Sequence, residues 1–252
     1  VSFLRARGLL KEYGAGPGRL RAVDRVDLDV GSGESVAVMG PSGCGKSTLL
    51  HLLGGLDRPT DGEIRLDGGR IDDLGEKALA RLRRTRIGFV FQSFHLMEEL
   101  TAAENVEFPA LLAGAGTRAA RRRALDLLDR VGLSERSRFL PSALSGGQRQ
   151  RVAVARALVN EPAIVFADEP TGNLDSAATL DVLRLFEDLH DTGQTLIIVT
   201  HDARIAATAD RLITMRDGAF TDETRLTGGT SSLGHLIGLG ADAPTGLEAG
   251  PR

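Results

Sequence analysis

Short, nearly unbroken apolar runs recur at 35–39, 87–91, 163–167, 195–200 and 211–215. Runs of five or six without polar interruption predict strands buried on both faces. Between them the apolar positions take a helical spacing: Leu180, Leu183, Phe186 and Leu189, and again Leu125, Leu128 and Val131. Strands alternating with amphipathic helices predict a mainly parallel sheet covered on both sides, an α/β class.

Residues 94–144 break that rhythm, with helical periodicity and no strand-like run, and predict a helical insert within the α/β core. From Thr227 onward Gly, Ser, Thr, Ala and Pro dominate, so 1–226 is expected to be the folded domain and 227–252 a flexible tail. No apolar run approaches the ~18–20 residues of a membrane helix. Arg5 and Arg7 are followed at once by polar residues and glycine, unlike a secretory leader. A soluble protein is expected, reaching a membrane only through a partner.

The chain has 252 residues and a formal net charge of −3, which argues against a nucleic-acid partner. The Arg118 and Arg121 to Arg123 cluster reads as a solvated helix face, since no aromatic residue interleaves it. Its one cysteine, Cys44, allows no intrachain disulfide and fits a reducing compartment. Of 31 basic residues only Lys11, Lys46 and Lys77 are lysine. A chain that otherwise chooses arginine has kept a lysine at 46.

Gly40-Pro41-Ser42-Gly43-Cys44-Gly45-Lys46-Ser47-Thr48 follows one apolar run and opens a helix expected over 49–56. This is the G-x-x-x-x-G-K-[ST] phosphate loop, in the strand-to-helix context that gives it meaning. Its glycines let N–H groups turn inward around phosphate oxygens, and the helix start adds a field that favours the anion. Lys46 is predicted to reach the β- and γ-phosphates of ATP and Ser47 to bind Mg2+. Cys44 reads as filler at a loop position that presents no required group.

Three other runs also end in polar residues: Gln92 after 87–91, Asp168 and Glu169 after 163–167, and His201 after 195–200. In parallel strands all of these emerge at one carboxyl edge, where open α/β sheets bind ligands. Asp168 and Gln92 are expected in the magnesium shell. Glu169 is expected to orient or deprotonate an attacking water, with Lys46, Gln92 and His201 beside it. This constellation predicts phosphoryl transfer to water.

Leu144-Ser145-Gly146-Gly147-Gln148 opens another helix and resembles the signature sequence of ABC ATPases. With the P-loop, the chain over 1–226 is similar to a complete ABC cassette and implies a P-loop NTPase fold with a small antiparallel β part. The resemblance implies that Ser145, Gly146, Gly147, Gln148 and Asp175 complete the ATP site of a facing subunit in a head-to-tail homodimer. It also implies that Tyr13 stacks on adenine through its ring face, with the hydroxyl unimportant. Phe91-Gln92-Ser93-Phe94-His95-Leu96, Glu104-Asn105-Val106 and Pro170-Thr171-Gly172-Asn173-Leu174-Asp175 resemble the MacB/LolD group, with FtsE a near relative.

That likeness implies an ATPase on the cytoplasmic face of a membrane, driving a transmembrane permease that exports a peptide, drug or lipoprotein. Phe94, Leu96, Met97 and Leu100 are candidates for the permease-binding groove, with ordinary core packing as the alternative. A regulatory ATPase of the FtsE kind, moving no solute, is the rival reading. ABC proteins of repair or translation carry long coiled-coil or zinc-bearing inserts, or two cassettes, none of which is visible here.

Overall fold

The computed structural model describes residues 2–226; the tail expected over 227–252 lies outside the described residues. The chain opens with a hairpin, β1 (Leu4–Tyr13) and β2 (Leu20–Val30), then passes through β3 (Ser35–Met39) into helix α1 (Lys46–Leu53). β4 (Asp61–Leu66), β5 (Gly69–Arg70), α2 (Glu76–Arg86) and β6 (Ile87–Phe91) follow. Next come α3 (Ala102–Leu112), α4 (Thr117–Arg130) and α5 (Gly146–Leu158), and no strand is assigned between β6 and α5. The chain continues through β7 (Ile164–Asp168), α6 (Ser176–Asp191), β8 (Thr195–Thr200), the short α7 (Ala203–Ala206), β9 (Arg211–Arg216) and β10 (Ala219–Arg225).

Two sheets result: an antiparallel one ordered β2-β1-β4-β5, and a six-stranded one ordered β10-β9-β3-β8-β7-β6. In the larger sheet β9, β3, β8, β7 and β6 run parallel, and β10 returns antiparallel at the edge. Its strands read as continuous apolar runs because successive side chains feed different cores. Val165, Ala167, Leu196 and Ile198 join the cluster under α3, α4, α5 and α6. Ile164, Phe166, Ile197 and Val199 point the other way, onto α1 and the antiparallel sheet. Period-two alternation therefore divides β7 and β8 between two interiors, whereas the edge strand β10 is largely exposed.

Helix boundaries follow local chemistry. α1 stops at Leu53, three residues short of the expected end, where Gly54 and Gly55 follow. Gly54 is also a close-approach site: a Cβ there would lie 2.2 Å from Phe89 Cζ. α3 and α5 each begin with a capping box, Thr101 with Glu104 and Ser145 with Gln148, the S/T-x-x-E/Q arrangement that satisfies first-turn amides. On α4 the buried stripe is Ala120, Ala124, Leu127 and Leu128, leaving Leu125 exposed at 38%.

Candidate functional site

The strand ladder aligns the predicted site residues. Met39 pairs with Thr200, Val199 with Asp168, and Asp168 with Phe91. Hence Glu169 and Gln92 stand level with Thr200, one residue before Gly40 and His201, so all four leave the sheet within one residue of each other along one edge. Tyr13, Gly40, Pro41, Ser42, Gly43, Gly45, Lys46, Ser47, Thr48, Gln92, Glu169 and His201 line one depression of about 700 Å³.

The phosphate loop is built for a tight turn. Gly45, at φ 105°, is the N-cap of α1, and a Cβ there would meet Ala22 O at 2.0 Å. Gly43 (φ 79°) has open space where its Cβ would be. α1 has no side-chain cap, so its first-turn N–H groups are available to an anion. Lys46 is buried and donates to Gly40 O at 2.9 Å and Pro41 O at 3.1 Å. Cys44 points away from the depression into the apolar cluster.

Ser47 Oγ donates to Asp168 Oδ1 at 2.8 Å. Burial pushes the Asp168 carboxyl above its ordinary value, with the Ser47 bond opposing. A hydroxyl and one half-buried carboxylate beside a phosphate loop suit Mg2+, which takes one or two protein oxygens and completes its shell from phosphates and water. Magnesium bound there would neutralise phosphate charge and favour the ionised form of Asp168.

Glu169 follows directly with φ 45°, a left-handed backbone that costs a non-glycine residue about 1–2 kcal/mol. Its N–H donates to Val199 O at 2.9 Å. Its carboxylate receives the His201 backbone N–H at 3.2 Å and contacts His201 Nδ1 at 2.9 Å. Strain at this one residue turns the carboxylate off the strand axis and toward His201. Gln92 Nε2 donates to Asn173 Oδ1 at 3.3 Å, and Asn173 Nδ2 returns a bond to Gln92 O at 3.1 Å. Gly172 leaves room for that side chain, since a Cβ there would lie 2.7 Å from Gln92 Nε2.

Ser145, Gly146, Gly147, Gln148 and Asp175 do not line this depression. Ser145 Oγ accepts from Gln148 N at the start of α5, and Asp175 accepts from Ala178 N at 2.8 Å to cap α6. The two helix starts pack together: a Cβ on Gly147 would lie 2.6 Å from Ala178 Cβ, and one on Gly146 would lie 3.5 Å from Leu174.

The apolar residues after Gln92 divide. Leu96 packs against the core cluster, and the Phe94 ring lies 5.2 Å from the Arg149 guanidinium. Met97 is exposed at 39% and Leu100 is half-buried. Beside them a groove of about 270 Å³ has Phe89, Phe91 and Pro109 among its apolar lining and Arg83, Arg84, His95 and Arg156 among its polar lining. Arg156 donates to Phe94 O at 2.7 Å and to His95 O, and burial pushes its guanidinium below its ordinary value. Sequence reasoning did not find this groove, because its aromatic floor belongs to β6. It also missed Arg21 and Ala22 in the lining of the larger depression and the bond between Asn173 and Gln92.

Comparison with known proteins gives a consistent family. The model described as ABC transporter matches residues 23–172. A macrolide export ATP-binding/permease protein MacB 1/2 of Paracoccus denitrificans is 51% identical over 88% of this chain. The chain spans about a third of the length of that relative (33%). An uncharacterized ABC transporter ATP-binding protein of Thermotoga maritima is 48% identical over 82% of this chain and 89% of its own length. The dimeric ATP-binding cassette MJ0796, in a post-hydrolysis state bound to ADP and Pi, superposes with TM-score 0.83 at 41% identity. The superposition covers 89% of this chain and 99% of that one.

Proposed function

The chain belongs to the ABC transporter family, and from that premise we propose that it is the ATP-hydrolysing cassette of a transporter, working in pairs. The observation that carries this reading is the aligned sheet edge, which brings the phosphate loop, Gln92, Glu169 and His201 to one depression, with Asp168 behind them bonded to Ser47.

In this reading the triphosphate of ATP lies in the 40–48 loop. Lys46 exchanges two neutral carbonyls for anionic phosphate oxygens, which are the stronger acceptors. Ser47 and Asp168 would hold Mg2+, which would neutralise phosphate charge there, and Tyr13 receives the adenine. Glu169 orients a water and takes its proton as the water oxygen bonds to the γ-phosphorus. The bond from that phosphorus to the bridging oxygen breaks, leaving ADP and phosphate. His201 holds the Glu169 carboxylate in place. A second copy supplies Ser145, Gly146 and Gly147 to the γ-phosphate, because within one chain those residues lie outside the depression.

No helix among the described residues is long and apolar enough to cross a membrane. We assign the groove floored by Phe89 and Phe91 to a cytoplasmic segment of a permease, which would keep the cassette at the membrane's cytoplasmic face. Export, as in the relative's name, is the corresponding expectation for direction, and a macrolide or peptide for cargo. The test is steady-state phosphate release by the purified chain with ATP and magnesium, against Lys46→Ala. Turnover that persists in Lys46→Ala would refute the site.

A further inference from the structure

Tyr13 lines the depression together with Glu169, and its hydroxyl is held mainly from outside the phosphate loop, with the Thr48 side chain of the loop also close enough to bond it. Its hydroxyl donates to Asp57 Oδ2 at 2.8 Å. Asp57 Oδ1 receives Lys11 Nζ at 2.7 Å, and the same ammonium donates to Arg58 O at 2.7 Å. Lys11 Nζ also lies 4.9 Å from the centre of the Tyr13 ring and covers one face of it, a contact that is attractive in its own right. A planar base is left the other face.

Asp57 is itself tied to the phosphate-binding helix. The amides of Leu56 and Asp57 both donate to His51 O, at 2.8 and 3.2 Å. α1 therefore carries the phosphate lysine at its first turn and, through its last turn, the carboxylate that holds the aromatic ring. The helix has eight residues, about 12 Å at 1.5 Å per residue. Burial acts to raise the Asp57 carboxyl, yet the bonds from Lys11, Tyr13 and the Arg58 amide outweigh it and hold it below its ordinary value.

We propose that Asp57, braced by Lys11 and by the end of α1, is a positioning residue that sets Tyr13 at a fixed span from the phosphate loop. The site thereby measures the distance between base and triphosphate in its nucleotide. This rests on the reading that Tyr13 receives the base. The phenol hydroxyl, not only the ring face, then contributes to affinity.

The test compares ATP with inorganic tripolyphosphate, which offers the loop its phosphates but has no base. Calorimetric titration of the chain with each ligand gives both affinities. Asp57→Ala and Tyr13→Phe should each weaken ATP about three- to tenfold, the worth of one hydrogen bond, and leave tripolyphosphate unchanged. Combining them should cost no more than Asp57→Ala alone, because that change already removes the bond that Tyr13→Phe removes. Equal weakening of both ligands in Asp57→Ala, or fully additive losses, would overturn the proposal. Tyr13→Phe keeps the ring and serves if Asp57→Ala does not fold; unchanged ATP affinity in it also overturns the proposal. Tyr13→Ala separates the two levels. If it binds ATP like the parent, base stacking fails and the proposal with it. If it weakens ATP while Tyr13→Phe does not, only the positioning role fails.

Discussion

Replacing Glu169 by glutamine should separate nucleotide binding from cleavage. The carboxylate accepts from His201 N and contacts His201 Nδ1, and a glutamine oxygen of the same reach can keep both contacts. The φ of 45° and the bond from the residue's own amide to Val199 O belong to the backbone. Ser47 and Asp168 remain paired. What disappears is the capacity to take a proton, worth about 10²–10⁴ in rate, or about 3–5 kcal/mol of barrier. Phosphate release should fall by that factor while ATP affinity stays within about twofold of the parent. Uncleaved ATP would then hold two copies together, since a ligand that binds only the paired form at 100 times its Kd stabilises pairing by about 2.7 kcal/mol. Light scattering should find Glu169→Gln dimeric with ATP and magnesium and monomeric without nucleotide. Adding Ser145→Arg should abolish that dimer. A rate loss under about tenfold, or a folded protein whose mass ignores nucleotide in all variants, would refute the assignment.

Glu169→Gly should be about 1 kcal/mol more stable to urea than Glu169→Ala, because only alanine keeps the left-handed backbone strain; the reverse order would contradict the strain. Gly54→Ala should lose about 1–3 kcal/mol in the same assay by overpacking, since its Cβ would sit 2.2 Å from Phe89 Cζ and 3.3 Å from Phe166 Cδ2; unchanged stability would contradict that close approach. The Asp57 carboxyl lies below 3.8 in the folded chain, so its stabilisation is complete above that pH and is lost as pH falls through the folded value. Asp57→Asn should therefore flatten the acid limb of a plot of Tm against pH below 3.8, and an unchanged limb would contradict the shift.

The strands of the large sheet were legible because both faces are buried, so apolar residues run without a break. β1 and β2 carry Arg5, Arg7, Asp27 and Asp29 among their apolar positions, and register shifts interrupt their pairing, so no simple period marks them. The phosphate loop announces itself through three glycines and a lysine at fixed spacing. Asp57 does not, because its partner Tyr13 is 44 positions away and nothing local distinguishes it from a solvated carboxylate. The ring-face reading of Tyr13 expected Tyr13→Phe to be neutral, and the bond to Asp57 gives the hydroxyl a task. The division of the apolar residues after Gln92 has a backbone reason. Phe94 and His95 both have positive φ, so the chain turns there and Leu96 faces the core. The aromatic residues that line the neighbouring groove are the strand residues Phe89 and Phe91.

The levelled strand ends have a consequence for how such a protein can change over time. Along β8, Leu196 and Ile198 serve one interior, and Ile197 and Val199 the other. Inserting a single residue there would exchange the two sets and carry His201 about 3.3 Å along the strand axis, out of line with its neighbours. Folding and chemistry would fail together, so lineages are expected to keep these strands at constant length. The exposed turn between α3 and α4, around Gly114 and Gly116, stands in no such ladder, and a Cβ at either glycine meets nothing within 4 Å. Length variation there leaves the catalytic edge undisturbed. New partners can be acquired through the helices while the hydrolytic machinery stays as it is, and the same turn is the natural place to graft a reporter.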